Sequence, residues 1–475
     1  MLPYVHFVVV FLLNIPAISA ARSSVLTLLS CLTDHRLTVE LPTDPTWTNS
    51  TTPYDISIAE LPPFSHGFRS FNTRFSYSPS AIVYPNQTAD VSKAVTCAVA
   101  SGVHWFFLMA SGYGSQNGTL VVSFRNMAQI AYNPTDTTVS IGPGARLGDV
   151  AWQLDTDYGR ALAHGLCPYV GVGGHTAFGG WGLASRNWGL LIDQLLSAVL
   201  VLADGSVVHV SATQSPDLFW AICGAASSFG IVTQYTFQTH WAPATVVRYE
   251  FFFEDPTLSS AKFAELSRSY QAWGLTAQKE VGIVANIIEG ERCLADFKPI
   301  AASLLHVTGL PNNTYLEERA WPVVLAEVGE GIPNGSLVVP TSSPLTTAAF
   351  SALAEHFANT PIPGTTSWFI QFELWGGGDS LITSLPSTAT AYPHRAHLWT
   401  IQFYDTAFIT GMVSAMTESM PDAPFAAYAN YLDPELTGWQ NKYYAGNYPK
   451  LAALQKKFDP KGVFLKDQNI GAPDL

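Results

Sequence analysis

Cys167 lies in the segment Ala163-His-Gly-Leu-Cys-Pro-Tyr-Val-Gly-Val-Gly-Gly-His175, beside a proline and just before a run of glycines. Glycine has no Cβ, so the backbone amides of such a run can approach a large flat ligand closely. A thiolate is a strong nucleophile, which makes this cysteine a candidate for a covalent bond to a cofactor. The alternative is a buried structural cysteine beside a tight turn, because free cysteine is among the most buried residue types. The surrounding stretch favours the cofactor interpretation.

Small residues recur in two further stretches. Residues 171–182 contain six glycines, too many for an ordinary helix interior. Residues 110–114 form a loop of small residues between two apolar runs, 103–109 and 119–124, which are predicted to be strands. Such a loop can present backbone N–H groups to a phosphate, although taken alone it is more often only a turn.

The length, composition and charge of the chain limit the classes of protein to which it can belong. A chain of 475 residues is too long for one hydrophobic core, so two domains are expected. Hydrophobic residues make up 48% and charged residues 12%, which is typical of a folded protein. The net charge is −13 and Lys and Arg form no run, which argues against nucleic acid and against acidic membranes as partners.

The N-terminus carries the pattern of a secretory signal. Residues 5–18 are apolar, small residues follow, and we predict a signal peptide over residues 1–21 and no membrane association after its removal. No Lys or Arg precedes the apolar segment, and a buried first helix is the alternative. Five glycosylation sequons agree with secretion and begin at Asn49, Asn86, Asn117, Asn312 and Asn334. Five cysteines in a secreted chain leave at least one outside any disulfide.

Helix and strand signals alternate along the chain. The predicted elements of the first half are a helix over 91–102 with Gly102 as C-cap, a helix over 149–158, a hairpin over 196–210, a helix beginning at Pro216 and capped by Ser215, and a strand within 225–237. Beyond about residue 243 glycine becomes less frequent, and predicted strands such as 246–253 alternate with predicted helices such as 260–273. Residues 331–344 and 361–366 are rich in Pro and Gly and are predicted to be surface loops.

Several motifs together resemble a known family. They are Gly144-Ala-Arg-Leu-Gly148, His164 to His175, Asp217-Leu-Phe-Trp-Ala221, Ser228-Phe-Gly-Ile-Val232, Tyr392-Pro-His-Arg395, Gln402-Phe-Tyr404 and Phe458-Asp-Pro460. The set resembles the FAD-linked oxidases of the vanillyl-alcohol oxidase superfamily, in particular the berberine-bridge-enzyme-like branch with its fungal sugar oxidases. The likeness covers most of the chain from about residue 28.

The resemblance implies an α+β fold in which a two-part FAD-binding domain carries an inserted substrate domain, an antiparallel sheet backed by helices. The FAD-binding domain would take residues 28–242 and 426–475, and the substrate domain residues 243–425. The N-terminal cysteine pair of the family matches Cys31 and Cys97, which implies a disulfide between them. Cys223 and Cys293 are left without an assignment.

FAD is the cofactor that the resemblance implies. In this branch a cysteine sulfur often holds the flavin at C6 and a histidine holds its 8α-methyl group, and Cys167 matches the first of these anchors. The loop that should supply the histidine has Ser111 or Gly112 in its place, and His104 is a poor substitute, so we expect a single covalent bond. The other residues expected at the cofactor are Ala110, Ser111, Gly112, Tyr113, Gly114, Gly144, Gly148, Val170, Gly171, Gly173, Gly174, His175, Gly179, Gly180, Gly230, Ile231 and Val232.

The resemblance also assigns catalytic roles. Ala429-Asn-Tyr-Leu-Asp433 matches the stretch that carries the family's catalytic base, which gives Tyr431 that role. Trp368-Phe-Ile-Gln-Phe-Glu373 matches the stretch that carries its acidic partner, although Glu373 replaces an aspartate. Gln371 lies two residues before Glu373, shares its face of a strand, and is expected to orient a substrate hydroxyl. Tyr113, in the loop 110–114, is expected either to stack on a sugar substrate or to cover the flavin. Without the resemblance, Tyr431 and Glu373 would be an ordinary core tyrosine and a solvated acid.

The leading hypothesis is an FAD-dependent oxidase that takes a hydride from a hydroxyl-bearing or ring carbon of a small organic metabolite, passes the electrons to O₂ and releases H₂O₂. The absent histidine, Glu373 and a shortened loop after Tyr113 favour this substrate over a sugar. A secreted oligosaccharide oxidase is the first alternative, and a non-redox, flavin-bound cyclase or isomerase is the second. We expect a monomer without a metal. Val170 matches a position that the family associates with oxygen access.

Overall fold

The computed structural model describes residues 15–44, 79–103, 105–107, 118–168, 170–244, 246, 251–252, 259–288, 296–301, 334–360, 369–404, 407–464 and 468–472. The helices in this part of the chain are Ile15–Asp34, Thr88–Ser101, Leu147–Tyr158, Val172–Ala177, Ser185–Trp188, Pro216–Ala225, Ser260–Gly274, Thr347–Asn359, Ala407–Glu418, Trp439–Tyr444 and Tyr448–Phe458. None of these helices combines the length and apolarity needed to cross a membrane.

The strands in the same residues form four sheets. They are β1 Val39–Glu40, β2 Ala81–Val83, β3 Trp105–Phe107, β4 Leu120–Val122, β5 Ile130–Asn133, β6 Thr138–Ile141, β7 Arg160–Ala161, β8 Leu195–Val201, β9 Val207–Ser211, β10 Ile231–Gln238, β11 His240–Trp241, β12 Phe251–Phe252, β13 Val281–Ile288, β14 Asp296–Ala301, β15 Asn334–Pro340, β16 Phe369–Leu374 and β17 His397–Tyr404. The sheet orders are β1-β2-β4-β3, β5-β6-β10-β8-β9, β11-β7 and β12-β14-β13-β16-β17-β15.

The N-terminal part contributes most of one hydrophobic core. Leu28 and Leu32 of the first helix pack against helix 88–101 and the small sheet that contains β2 and β4. Cys31 and Cys97 form a disulfide across this core, as the resemblance implied. The first helix runs from residue 15 and overlaps the predicted signal segment, whose removal stays a prediction.

The six-stranded sheet has two different faces. On β16, Ile370, Phe372 and Leu374 pack into a core with helices 260–274 and 347–359. The residues between them, Gln371 and Glu373, point to the other side because side chains alternate along a strand. That second face meets the large core built from residues of the five-stranded sheet and the helices around it, to which Val284 and Val338 contribute. The sheet therefore places its polar side chains between two layers of the molecule.

A buried arginine connects the two layers. Arg186 has no exposed surface and lies in the short helix 185–188. Its guanidinium donates five hydrogen bonds of 2.5–3.2 Å to backbone carbonyls of Ala277, Gln278, Val281, Gly376 and Gly377. Those carbonyls flank β13 and β16, so one side chain fixes both strands against the glycine-rich half.

Most predicted elements are confirmed, with small shifts at their ends. The helix that ends at Gly102 begins at Thr88, and Gly102 has φ 66°, the left-handed conformation of a C-cap. The predicted hairpin is β8 with β9, and Pro216 begins its helix. The fold is of the α+β class, with helices and mainly antiparallel sheets. The residue bounds of the two expected domains stay a prediction.

Three expectations are wrong. The Ser215 side chain makes no capping hydrogen bond, and its φ of 51° is left-handed instead of the extended conformation usual for an N-cap. Within residues 171–182 a helix forms over Val172–Ala177, because tertiary contacts override glycine's low propensity. A Cβ on Gly173 would lie 3.0 Å from Pro143, so glycine permits this packing.

The third error concerns residues 331–344, which were expected to be a surface loop. Residues 334–340 form β15, which pairs with β17, and Val339 is fully buried. Three consecutive apolar residues, 337–339, supply the strand signal that the flanking Pro and Gly obscured. The other expected loop, 361–366, lies outside the described residues.

We predict that Arg186→Met lowers the free energy of unfolding by roughly 2–4 kcal/mol, because several buried carbonyls lose their donor. Chemical denaturation of the purified holoprotein measures this. Arg268→Met, at an exposed position of helix 260–274, is the matched control and should change stability little. Equal effects of the two substitutions would contradict the role of Arg186.

Candidate active site

The carboxylate of Glu373 lies at the centre of the polar face of the six-stranded sheet. Its side chain is fully buried and accepts three hydrogen bonds. Tyr431 Oη donates to Oε1 at 2.5 Å, Gln371 Nε2 donates to the same oxygen at 2.8 Å, and Trp375 Nε1 donates to Oε2 at 3.0 Å. Gln371 and Glu373 thus share a face, as their spacing predicted.

Burial and hydrogen bonding act on Glu373 in opposite directions. Burial raises the pKa of its carboxyl group to about 7 from the ordinary 4.5, while the hydrogen bonds from Tyr431, Trp375 and Gln371 lower it. Among the described residues Glu373 meets three donors and no acceptor, which matches the ionised form, because a carboxylate can only accept. The result is a carboxylate that is a stronger base than an exposed one and still changes charge near neutral pH.

Tyr431 reaches Glu373 from a different segment of the chain. This segment is joined to the six-stranded sheet where Ala426 bridges Val338 and where the backbone N–H of Tyr428 donates to Ser336 Oγ at 2.8 Å. A turn, in which Tyr431 N donates to the Tyr428 carbonyl at 2.9 Å, then directs the Tyr431 ring toward Glu373. The ring packs edge-on against Tyr428, with centroids 5.1 Å apart.

The glycine-rich half contacts the same segment. The hydroxyl oxygen of Tyr428 accepts hydrogen bonds from Gly180 N at 3.0 Å and from Asn430 Nδ2 at 2.8 Å. Asn430 Nδ2 also donates to the His175 carbonyl at 3.1 Å. The Trp181 and Trp375 rings stack with centroids 5.6 Å apart. The structure therefore brings the expected cofactor residues His175 and Gly180 next to the segment that carries Tyr431.

The Cys167 segment is held by backbone pairing. Gly148 N donates to the Pro168 carbonyl and Leu147 N to the Val170 carbonyl, both at 3.0 Å. This pairing places the expected residues Gly144 and Gly148 alongside Val170, Gly171 and Gly173. Cys167 is half-buried and takes no part in the disulfide, and Cys223 is fully buried.

Two histidines of this segment are held neutral. His175 Nε2 accepts the Gly165 N–H at 2.9 Å, and burial together with His164 lowers the pKa of His175 to about 3. Burial also lowers the pKa of His164, although its hydrogen bond with the Gly165 carbonyl opposes that shift. Neither ring therefore adds a positive charge beside Cys167 near neutral pH.

The residues present fit a flavin. A Cβ on Gly174 would meet nothing within 4 Å, so open space lies beside the short helix 172–177. The buried Nε2 atom of His164 has no hydrogen-bond partner among the described residues. With the half-buried thiol of Cys167, this segment offers space, a polar atom and a nucleophile to a planar ligand.

Three expected residues lie on another element, where their contact with the cofactor stays a prediction, and others are not described. Gly230, Ile231 and Val232 lie at the start of β10, and Ile231 packs in the N-terminal core. The loop residues Ala110, Ser111, Gly112, Tyr113 and Gly114 lie outside the described residues, as do His104, Cys293 and the sequons at Asn49, Asn117 and Asn312. Asn86 is exposed and Asn334 begins β15.

The sequence reasoning missed Trp375, Tyr428 and Trp181. Trp375 continues the alternation of Gln371 and Glu373, so its place on the same face could have been predicted. Tyr428 and Trp181 gave no such signal, because their contacts join segments that are distant in sequence: Tyr428 meets Gly180 and Trp181 meets Trp375.

Two family models match the chain. The FAD binding domain matches residues 79–211, and the berberine and berberine-like segment matches residues 427–471. A carbohydrate oxidase from Microdochium nivale is 31% identical and aligns over 87% of this chain and 92% of its own length. The FAD-linked oxidoreductase dpmaF from Metarhizium anisopliae is 31% identical over 93% of this chain and 91% of its own length.

Solved structures agree with these relatives. The structure of glucooligosaccharide oxidase from Acremonium strictum with 6-S-cysteinyl, 8α-N1-histidyl FAD matches with a TM-score of 0.80 at 28% identity, covering 94% of this chain and 99% of that one. The chain is thus an FAD-binding oxidoreductase, with the two-part flavin domain and inserted substrate domain that its motifs indicated. It belongs to the berberine-bridge-enzyme-like family of FAD-linked oxidases.

We predict that Glu373→Gln makes stability less dependent on pH. In the wild type the unfolded chain loses the Glu373 proton near pH 4.5 and the folded protein near pH 7, so the free energy of unfolding falls across that window as pH rises. The wild type should lose up to about 3 kcal/mol relative to the variant between these limits. Denaturation at pH 4.5 and pH 8 tests this, with the exposed Glu355→Gln as control. If the difference in free energy of unfolding between the wild type and Glu373→Gln is the same at both pH values, the effect of burial on the Glu373 pKa is contradicted.

Proposed function

We propose that the protein is an oxidase that removes a hydride from a hydroxyl-bearing carbon of a small organic molecule and passes the electrons to O₂, forming H₂O₂. The observation that carries the proposal is the 2.5 Å hydrogen bond from the Tyr431 hydroxyl to the buried Glu373 carboxylate. A hydroxyl-bearing carbon releases hydride only when its O–H proton is also removed, so a base must lie at the reacting atom. Tyr431, backed by a carboxylate, is such a base.

FAD, when bound, accepts the hydride, and the work left to this chain is proton transfer and positioning. Tyr431 Oη takes the substrate hydroxyl proton while its own proton moves to Glu373 Oε1. A free tyrosine has a pKa near 10, so it needs such a partner to act at neutral pH. Gln371 donates to the same oxygen of Glu373, and we expect it to orient a substrate hydroxyl.

We also propose that Cys167 holds the flavin through a single thioether. A half-buried thiol in a glycine-rich segment supports this assignment. The related glucooligosaccharide oxidase has FAD with both a cysteinyl and a histidyl bond. The corresponding loop of this chain, 108–114, contains no histidine, so one bond is expected here. A lower reduction potential and a weaker hold on the flavin would follow.

The substrate is proposed to be a small, largely apolar metabolite. Two departures from the sugar-oxidase pattern support this choice. Glu373 replaces an aspartate, and its extra methylene moves the carboxylate; a shortened loop after Tyr113 would reshape the mouth of the pocket. An oligosaccharide is the second candidate and is favoured by the carbohydrate oxidase relatives. Secretion, glycosylation and a monomeric state remain part of the proposal.

The covalent link is tested by replacing Cys167 with alanine. Flavin absorbance should remain with the wild-type protein after acid precipitation and should leave with the supernatant in Cys167→Ala. Cys223→Ala, at the other described cysteine outside the disulfide, is the control and should keep its flavin. Release of the flavin from the wild type would refute a covalent bond.

The catalytic base is tested by Tyr431→Phe, which removes one oxygen atom. The rate of H₂O₂ formation should fall by roughly 10²–10⁴-fold, the usual contribution of a positioned base. Tyr448→Phe, at the first residue of the C-terminal helix, is the control. A variant that keeps its rate would exclude Tyr431 as the base.

The substrate class is tested by giving the wild type and Tyr431→Phe a panel of oligosaccharides and apolar alcohols. H₂O₂ from oligosaccharides alone, lost in Tyr431→Phe, would replace the metabolite assignment with the carbohydrate one. Under anaerobic conditions, a substrate of either class should bleach the flavin. Turnover of a substrate without any bleaching would instead support a non-redox reaction.

A further inference from the structure

Trp375 is the residue that completes the hydrogen bonding of Glu373. Its indole Nε1 donates to Oε2 at 3.0 Å and is the one donor to that oxygen among the described residues. The other two donors, Tyr431 and Gln371, both meet Oε1. One oxygen of the carboxylate therefore faces the catalytic tyrosine and the other faces the indole.

The indole is held in place on several sides. It has no exposed surface, stacks on Trp181 at a plane angle of 9° and packs edge-on against Tyr428, with ring centroids 5.0 Å apart. The backbone N–H groups of Trp375 and Gly376 both donate to the Leu398 carbonyl, at 2.9 and 3.2 Å. A Cβ on Gly376 would come 2.1 Å from the His397 carbonyl oxygen, so this turn needs glycine.

A glutamate needs such a restraint more than an aspartate does. Its extra methylene adds a rotatable bond and more conformational freedom to lose. With donors on Oε1 alone, the carboxylate could still swing about that oxygen. We propose that Trp375 is a positioning residue that fixes Oε2 and so holds Glu373 in the orientation that accepts the Tyr431 proton. This inference rests on the proposed role of Tyr431.

Among the following described groups that lie around Glu373, none carries a net charge that changes near neutral pH. On the neighbouring strands the facing residues are Val284 and Thr400, which are uncharged. Burial raises the pKa of both Tyr428 and Tyr392 and lowers that of His397, which packs on the Trp375 ring.

One charged pair lies behind these rings. Arg395 and Asp193 neutralise each other through two hydrogen bonds of 2.7 and 2.8 Å. His394 is also kept neutral, because burial lowers its pKa to about 4. A shift in the acidic limb of the rate profile therefore reports on Glu373.

The test compares Trp375→Phe with Trp399→Phe. Trp399 is equally buried, lies on the opposite face of the same sheet, and its Nε1 has no partner among the described residues. Both substitutions remove the same atoms, but only the first removes a bond to Glu373. The measurement is kcat and KM from pH 5 to pH 9, with flavin content checked by absorbance.

For Trp375→Phe we expect kcat at pH 7 to fall roughly ten-fold, the effect of losing a hydrogen bond to a charged group. The midpoint of the acidic limb should rise by about one pH unit, because the ionised carboxylate loses a donor. Part of the rate should return at pH 9, and KM should change little. Trp399→Phe should show no shift of the limb.

A Trp375→Phe profile that superposes on that of Trp399→Phe would overturn the proposal while leaving Tyr431 as the base. An active Tyr431→Phe would instead remove the proposed function itself. If the Phe variant fails to bind flavin, Trp375→Met fills part of the same space without an N–H or O–H donor and should give the same shifted limb. A Trp375→Met profile like that of the wild type would equally overturn the proposal.

A double variant adds an independent check. In Glu373→Asp the shorter carboxylate is not expected to reach the indole. Adding Trp375→Phe to Glu373→Asp should therefore cost little more than Glu373→Asp alone. If the fold-loss of kcat in the double variant equals the product of the losses in the two single variants, Trp375 acts through something other than Glu373.

Discussion

The alternation of side chains along β16 is the constraint on which the active site depends. Because neighbouring residues of a strand point to opposite faces, Ile370, Phe372 and Leu374 can fill one core only if Gln371 and Glu373 enter the other. A shift of one residue in the pairing with β17 would turn the polar residues toward the helices and the apolar ones toward the opposite face. The register that builds the core therefore also aims the carboxylate.

Burial of that carboxylate requires its surroundings to be complete. An ionised group without partners is very costly in a low-dielectric interior, so each donor to Glu373 is also a stabilising contact. Tyr431, Gln371 and Trp375 come from two segments, and Trp181 supports the indole from a third. The contacts that pack these segments together are therefore the same contacts that complete the hydrogen bonding of the proton acceptor, Glu373.

The sequence predicted what depends on local pattern and on motif. The shared face of Gln371 and Glu373, the helix that ends at Gly102 and the disulfide of Cys31 with Cys97 are of this kind. It failed where a distant contact overrides a local preference, as in β15. The role of Trp375 needed only the alternation already used for Glu373, but its partner Trp181 could not be found without the fold.

The long-range contacts also set an order of events in folding. Asn469 exchanges hydrogen bonds with Ser227 across 242 residues of chain, and Gly180 donates to Tyr428 across 248. Contacts so distant in sequence are slow to form, and a chain emerging from the ribosome cannot make them until its last residues are available. The glycine-rich segment around Cys167 is synthesised early but gains its C-terminal neighbours last. Flavin capture would then be a late step, one that only a fully synthesised chain can complete.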